Sequence, residues 1–247
     1  MTREIPWLEP GQAFPPIENA WGTNDPAPGL LAAGGALDTT TLTAAYSQGI
    51  FPWFNEGQPI LWWSPDPRMV LSTDAFKLHR SLRQALKAFL AKPGNELRID
   101  TAFGAVIRAC AGSARLGQNG TWIVSDMIHA YEALHAKGIA HSVEIWSGDN
   151  LIGGLYCVGI GQAVFGESMF TRVSNASKLA LAGLVAFCRQ HGPAGVGQPG
   201  ADRRVLVHPG GPGRVAGPAV ARRPEPGAGR CADLDCTEPA GVCRRGL

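Results

Sequence analysis

The stretch that decides the fold is residues 140–170, AHSVEIWSGDNLIGGLYCVGIGQAVFGESMF. Residues 141–146 and 151–158 are rich in β-branched and aromatic residues, and the Ser-Gly-Asp-Asn sequence between them favours a turn. They therefore predict a β-hairpin. Residues 162–165, Gln-Ala-Val-Phe, predict a third strand. Antiparallel pairing of strands is thus expected in the middle of the chain.

Helical patterns lie on both sides of this hairpin. Apolar spacing and capping residues predict helices over 39–47, 76–89, 102–110, 125–138 and 176–188, with a short strand at 69–72. Residues 1–70 are rich in Pro, Gly and Trp, and few regular elements fit there. Strands with intervening helices predict an α/β (α+β) fold with a mixed sheet.

Composition and charge change sharply near residue 192. The chain of 247 residues is 45% hydrophobic and 17% charged, which excludes disorder along its whole length. Residues 192–247 hold 12 Gly, 8 Pro, eight Arg and five acidic residues, whereas residues 1–191 carry a net charge of −1. The overall charge of +2 is therefore no evidence for nucleic-acid binding.

The patterns of cysteine, histidine and apolar residues indicate where in the cell the protein is expected. No apolar run approaches the roughly 18 residues that span a bilayer, and the first residues have no apolar signal core. The six Cys form no Cys-x-x-Cys pair and the six His are dispersed. We expect a cytoplasmic protein with reduced thiols, no metal site and no membrane contact.

Three local patterns could carry chemistry. The Trp- and Pro-rich residues 51–68 form a stiff aromatic platform, which suits base stacking or a core at a domain junction. Glu167 follows a predicted strand, where it is an acid/base or ammonium-binding group or merely a solvated carboxylate. Arg80, Arg83 and Lys87 share a helix face that could contact phosphates or simply face solvent.

These patterns together resemble a known family. The segments are GLLAAGGAL (29–37), YSQGIFPWF (46–54), LWWSPDPR (61–68), GTW (120–122), AHSVE (140–144) and GESMF (166–170). In this order, over about residues 14–191, they are similar to the bacterial leucyl/phenylalanyl-tRNA–protein transferases. Ala36 departs from the pattern, because the family usually has Asp there.

The resemblance implies an activity and a domain organisation. The family moves leucine or phenylalanine, and methionine less well, from tRNA to proteins that begin with Lys or Arg, which marks them for degradation. The expected chain is a small N-terminal domain over 1–67 and an acetyltransferase-like domain over 68–191. An aminoacyltransferase of this kind needs no cofactor, and we expect a monomer.

The resemblance also assigns roles to residues. Glu167 would bind or orient the attacking amine. Four aromatic residues would hold the aminoacyl-adenosine end of the tRNA: Tyr46, Trp53, Trp122 and Tyr131. Five apolar residues would line the pocket for the transferred side chain: Leu155, Val164, Met169, Leu181 and Leu184. Arg80, Arg83 and Lys87 would contact tRNA phosphates.

The match fails after residue 191. There the family continues with Leu-Ile-Asp-Cys-Gln, whose Asp and Gln belong to its proton-transfer site, and then with His-x-Ala-Ser-Leu-Gly-Ala. Residues 201–203 (Ala-Asp-Arg) and 209–214 (Pro-Gly-Gly-Pro-Gly-Arg) are what GC-rich codons for these segments give in one displaced reading frame. We therefore favour a frameshift near 192 over a disordered arginine-rich tail. Either origin predicts an unpacked tail, an incomplete sheet and weak or absent transfer.

Two other functions compete with this interpretation. A coenzyme-A-dependent N-acetyltransferase should carry a Gln/Arg-x-x-Gly-x-Gly/Ala loop after a strand. The segment that starts at Arg108 has the wrong spacing and lies in a predicted helix. A non-catalytic RNA-binding or protein-interaction module would need the Trp-rich segment but no apolar pocket around Glu167.

Overall fold

The computed structural model describes residues 4–113, 123–161 and 163–191 together with the backbone of 204–207. The first part of the chain forms a four-stranded sheet in the order β1-β2-β4-β3. Its elements are β1 (Trp7–Leu8), β2 (Leu30–Gly34), α1 (Thr39–Ser47), β3 (Phe51–Pro52) and β4 (Leu61–Trp63). Asp38 caps α1, since its side chain accepts hydrogen bonds from the backbone N–H of Thr40 and Thr41.

The rest of the described chain forms a six-stranded mixed sheet with four helices. Its elements are β5 (Val70–Ser72), α2 (Arg80–Leu90), β6 (Asn95–Ile99), α3 (Phe103–Ala111), α4 (Ser125–Ala136), β7 (Ala140–Ser147), β8 (Asn150–Ile160), β9 (Ala163–Thr171), α5 (Ala176–His191) and β10 (Arg204–Val207). The strand order is β5-β10-β9-β8-β7-β6, and only the β10–β9 pair is parallel. The predicted α/β (α+β) class is confirmed.

Helices cover both faces of the six-stranded sheet. Side chains of α1, α3 and α4 pack on one face with Tyr156 and Phe165, in a core cluster that also includes Trp62 of the first sheet. Side chains of α2 and α5 pack on the other face with Leu155 and Val164. We call these the tyrosine face and the aliphatic face. The alternation of Leu155 and Tyr156 along β8 follows from the two-residue period of a strand.

A buried carboxylate fixes the connection from β6 to α3. Glu144 in β7 is fully buried and accepts hydrogen bonds from the backbone N–H of Thr101 and Ala102, at 3.0 and 2.9 Å. The hydroxyl of Ser142 and the indole N–H of Trp146 donate to the same carboxylate at 2.8 and 3.2 Å. A buried charge needs such partners, and here they hold the start of α3 against the sheet.

Several elements differ from the sequence predictions. Helix α2 starts at Arg80, four residues later than predicted, because residues 73–75 form a turn and residues 76–79 have no regular structure. The guanidinium of Arg189 holds that turn by donating to the carbonyls of Thr73, Asp74 and Phe76. The third strand does not end before Glu167 but continues to Thr171. Strand β6 and the short strands of the first sheet have no alternating pattern and were not predicted.

Strand β10 corrects one expectation about the tail. Residues 204–207 are not unpacked, since they pair with β9 from Ala163 to Gly166 and with β5 on the other side. Residues 205–207 are three consecutive apolar residues, Val-Leu-Val. They lie between β5 and β9, and both strands offer backbone hydrogen bonds to them. Residues 201–203 and 209–214, which carry the frameshift hypothesis, lie outside the described residues.

The domain boundaries at 67/68 and 191/192 stay predictions. Both sheets contribute to the core cluster of the tyrosine face, in which Leu31 and Trp62 lie with Tyr156 and Phe165. Within the described residues, no helix has the length and apolar character that a membrane span requires.

Candidate active site

Two tyrosines connect helices α1 and α4 to Glu167. The hydroxyl of Tyr131 donates to Oε2 of Glu167 at 3.3 Å, and the hydroxyls of Tyr46 and Tyr131 are 2.5 Å apart. Each hydroxyl has one proton, so Tyr46 donates to Tyr131 when Tyr131 donates to the carboxylate. All three side chains are buried. The arrangement is a short chain of hydroxyl groups that ends on an acid.

A β-bulge aims Glu167 toward this face. Tyr156 pairs with Ser168 and the next residue, Cys157, pairs with Gly166, so Glu167 is the extra residue on β9. Such an insertion bends the strand and redirects a side chain. It also reverses the alternation of side chains between the two faces of β9. Phe165 and Phe170 both pack on the tyrosine face, although they are five residues apart. Strand β10 stops at Val207 opposite Gly166, immediately before the bulge.

Burial controls the protonation of the tyrosines. Loss of solvent raises the pKa of both Tyr46 and Tyr131 well above 10, and the negative charge of Glu167 raises it further. Both hydroxyls are therefore neutral hydrogen-bond donors at neutral pH. Tyr46 also packs edge-on against Phe165 at 5.0 Å, and Tyr131 against Tyr156 at 5.4 Å. These contacts fix the two rings before any ligand binds.

The Trp-rich segment packs on the same core cluster. Trp53 is partly buried there, its ring lies 5.4 Å from that of Trp63, and Nε1 of Trp63 donates to the Trp53 carbonyl at 2.7 Å. Within the described residues, Nε1 of Trp53 has no hydrogen-bond partner. The structure therefore brings Trp53 into the cluster that holds Tyr46 and Tyr131. Trp122 lies outside the described residues.

The predicted side-chain pocket lies on the opposite face of the sheet. Leu155, Val164 and Leu184 are buried in the cluster of the aliphatic face, and Leu181 packs against it. Met169 is opposite Leu155 in the β8–β9 ladder and is 39% exposed. Four of the five residues are thus together, with the fifth at the solvent-facing end.

A basic cavity lies between α2 and α5. It has a volume of about 590 Å³, and its lining includes Arg80 and Arg83 at the start of α2. Lys77 and His79 add further basic groups, and Leu86 contributes to an apolar floor. Lys87, predicted to act with the two arginines, is exposed on α2 but does not line this cavity.

Sequence reasoning gave no role to Arg68 at this site. The residue is the last member of the Trp-Ser-Pro-Asp-Pro-Arg segment, but an arginine after a proline carries no signal of burial. In the structure its guanidinium lies between the rings of Phe51 and Phe165, with Cζ 5.0 and 5.1 Å from the two centroids. Its electrostatic partners include Glu167 and Tyr46.

Arg108 lies in helix α3, as predicted. A coenzyme-A loop would have to follow a strand, with backbone N–H groups free to face a pyrophosphate. In α3 those groups are used by the helix itself, so this segment does not supply the loop that the acetyltransferase alternative requires.

Comparisons with known proteins identify the family of this chain. Residues 70–196 match the family model described as leucyl/phenylalanyl-tRNA protein transferase, and residues 35–66 match the model of its N-terminal domain. A protein of this name from Polaromonas sp. is 63% identical over 191 residues, which are 77% of this chain and 75% of the relative. One from Albidiferax ferrireducens is 63% identical over 188 residues, or 76% of this chain and 74% of the relative.

The level of identity is similar in a further relative. A leucyl/phenylalanyl-tRNA–protein transferase from Leptothrix cholodnii is 55% identical over 190 residues, covering 76% of this chain and 74% of the relative. The matched ranges contain Tyr46, Tyr131, Glu167 and both faces of the six-stranded sheet. The chain belongs to the leucyl/phenylalanyl-tRNA–protein transferase family.

Proposed function

We propose that this protein transfers leucine or phenylalanine, and methionine less well, from aminoacyl-tRNA to the N-terminal amine of proteins that begin with Lys or Arg. The product would carry a new N-terminal residue that marks the protein for degradation. We further propose that it acts in the cytoplasm as a monomer. Membership of the transferase family, over a range that includes the Tyr46–Tyr131–Glu167 cluster, is the observation that carries the proposal.

The chemistry requires positioning more than activation. An aminoacyl ester is already reactive toward an amine, so holding the two groups in line can supply most of the acceleration. Glu167 supports this role, because a buried carboxylate at the sheet edge attracts an ammonium group and can orient the amine. The two neutral tyrosine hydroxyls keep the carboxylate oriented.

The remaining assigned residues recognise the tRNA. Tyr46, Trp53 and Tyr131, with Trp122, would hold the adenosine at the end of the tRNA. The apolar groups of the aliphatic face would accept Leu, Phe and Met while giving a polar side chain no hydrogen-bond partner. Arg80, Arg83 and Lys87 would contact phosphates. A local basic surface suffices for that contact, whatever the net charge of the chain.

The written C-terminal sequence sets the expected rate. In the family an Asp and a Gln after α5 belong to the proton-transfer site, whereas residues 204–207 are Arg-Val-Leu-Val and include no acid or amide. General acid–base catalysis contributes roughly 100- to 10,000-fold. We therefore expect the chain to bind its substrates and to transfer the amino acid slowly.

A transfer assay tests the proposal. Labelled leucyl-tRNA is mixed with a peptide that begins with Arg, and a peptide that begins with Ala serves as the substrate control. The chain as written is compared with a chimera in which residues 192–247 are replaced by the corresponding segment of the Polaromonas relative. The chimera should label the Arg peptide about 100-fold faster or more. Equal rates would refute the role of the missing pair, and no labelling by the chimera would refute the function.

Glu167→Gln in the chimera tests the site itself. It should lower transfer by about 100-fold, because the uncharged amide no longer attracts the ammonium group of the acceptor. Glu132→Gln is the matched control, since Glu132 forms only a surface ion pair with Arg108 at 2.8 Å. If Glu167→Gln binds tRNA normally and transfers at the rate of Glu132→Gln, the assigned site is wrong.

A further inference from the structure

Arg68 connects three parts of the molecule at the candidate site. Its Nη1 donates to the carbonyl of Gly49 at 2.5 Å, in the loop that follows α1. Its guanidinium carbon lies 5.0 Å from the ring of Phe51 in β3 and 5.1 Å from the ring of Phe165 in β9. A guanidinium held between two aromatic rings is attracted by both and has few other positions available.

The charge of Arg68 is placed where the site needs a cation. Burial lowers the pKa of its guanidinium, and the negative charge of Glu167, with a further contribution from Tyr46, acts in the opposite direction. These opposing effects mean that the cation and the carboxylate share one poorly solvated region. A carboxylate as buried as that of Glu167 is costly without a compensating charge.

The rings that hold Arg68 belong to the machinery of the site. Phe165 is two residues before Glu167 on β9, and it also packs against Tyr46 at 5.0 Å. A displacement of the guanidinium would therefore disturb the bulged strand and the tyrosine pair together. None of the roles assigned above includes this residue.

We propose that Arg68 is a positioning residue that holds Phe165 and the bulged part of β9, so that the Glu167 carboxylate stays directed at the acceptor amine. The inference rests on the proposed function, since it concerns the same site. Arg68 acts through Glu167 and Tyr46 and does not contact the substrate. Its removal takes a cation away from the buried Glu167 carboxylate and a contact away from Phe165, so the carboxylate is held less firmly in the direction of the amine.

Two substitutions separate charge from packing. Arg68→Met keeps the length of the side chain and removes its charge, whereas Arg68→Lys keeps the charge. The probe is an N-terminal Arg pentapeptide, and its binding is measured by calorimetry at pH 7. Arg68→Met should weaken binding at least 10-fold, because a Glu167 carboxylate that is not held in place attracts the ammonium group of the peptide less well. Arg68→Lys should recover most of the affinity.

Arg172 provides a matched control on the same strand region. Its guanidinium carbon lies 5.5 Å from the ring of Phe170, and Nη1 donates to the carbonyl of Leu151 at 3.0 Å. Arg172→Met therefore also removes a ring-stacked arginine and should change peptide affinity less than twofold. Equal effects of Arg68→Met and Arg172→Met, or of Arg68→Met and Arg68→Lys, would overturn the proposal.

A double-mutant cycle with Glu167→Gln gives a readout that is independent of transfer. In the Glu167→Gln background, Arg68→Met should cost less unfolding free energy in urea than in the wild type, since no buried charge is left unpaired. If Arg68→Met alone does not fold, the double variant should restore the wild-type near-ultraviolet spectrum. Additive effects, or a double variant that stays unfolded, would contradict the coupling. Loss of peptide binding by the wild type would instead count against the proposed function.

Discussion

The two faces of the six-stranded sheet bury different kinds of side chain. All four buried polar side chains of the described strands, Ser142, Glu144, Glu167 and Ser168, lie on the tyrosine face. The buried side chains of the aliphatic face are Val, Ile, Leu, Ala, Phe and Cys. Fixed polar groups can hold a reacting amine, whereas a uniform apolar wall can select a side chain by size. In the proposed function, the residues assigned to the chemistry and those assigned to selection of the side chain therefore lie on opposite faces of β9.

Two buried acids in the described strands, Glu144 and Glu167, have different partners. Glu144 and Glu167 both lie on the tyrosine face, but Glu144 accepts hydrogen bonds from the backbone of residues 101 and 102, whereas the contacts of Glu167 lead to the tyrosine pair. The first acid therefore stabilises the fold, whereas we propose that the second orients the amine. Substitutions can separate these two uses.

Glu144→Gln should have the largest effect on stability. The amide would bring N–H groups against backbone and indole donors, so the free energy of unfolding should fall by about 3–5 kcal/mol. Urea denaturation measures this loss. Glu132→Gln, at the surface pair with Arg108, should cost less than about 1 kcal/mol. Similar losses in the two variants would show that Glu144 does not anchor α3.

Leu184→Ala tests the aliphatic face. Leu184 is 4% exposed, and its truncation should cost about 3 kcal/mol and leave a cavity among the residues assigned to the pocket. In the transfer assay the preference should move from leucine toward phenylalanine. Leu179→Ala is the matched control, because Leu179 lies on the same helix and in the same cluster at 5% exposure but is not assigned to the pocket. It should lose similar stability with no change of preference.

The sequence predicted the elements that have strong periodic patterns. Helix α1 has the predicted bounds, and the β7–β8 hairpin lies where the β-branched and aromatic residues around the Ser-Gly-Asp-Asn turn placed it. The first sheet could not be predicted, because strands of two or three residues such as β3 and β4 have no measurable period. Strand β6 was missed for a related reason, since all five of its residues are only half-buried.

The site was predicted in part, because motifs identify residues but not their geometry. Glu167 and the tyrosine pair were found from the resemblance, yet the bulge that aims Glu167 depends on the register between β8 and β9. Register depends on both strands of a pair, so the sequence of one strand alone does not determine it. Arg68 was missed because its burial depends on Phe51 and Phe165, which are distant in sequence.

Tyr131→Phe should have a smaller effect that depends on pH. The change removes a buried hydroxyl that bonds to both Tyr46 and Glu167, which should cost about 1 kcal/mol near pH 7. The pKa of Tyr131 is raised in the folded protein, so its contribution to stability is full below pH 10 and is lost as the pH rises above that value.

Above pH 10 the variant should therefore lose stability less steeply than the wild type, by one proton in the dependence of unfolding free energy on pH. Urea denaturation at pH 7, 9, 10 and 11 measures the slope. Tyr46→Phe is the comparison, since it leaves the Tyr131–Glu167 hydrogen bond in place and should cost less at pH 7. Parallel pH curves for wild type and Tyr131→Phe would contradict a buried, neutral Tyr131.

Substitutions of the basic residues of α2 should have the smallest effects, and the dependence of tRNA binding on salt reveals them. If Arg80 and Arg83 each neutralise one tRNA phosphate, Arg80→Ala and Arg83→Ala should each lower the slope of log affinity against log salt by about one. Filter binding of tRNA between 50 and 200 mM salt measures this slope.

Lys87→Ala tests whether the tRNA phosphates bind inside the cavity or are attracted by all basic residues of α2. Lys87 carries the same charge on the same helix but lies outside the cavity that Arg80 and Arg83 line. A contact made inside the cavity predicts that Lys87→Ala changes the slope by much less than one. Equal changes for all three variants would mean that the whole basic face of α2 attracts the tRNA and that the cavity between α2 and α5 is not where its phosphates bind.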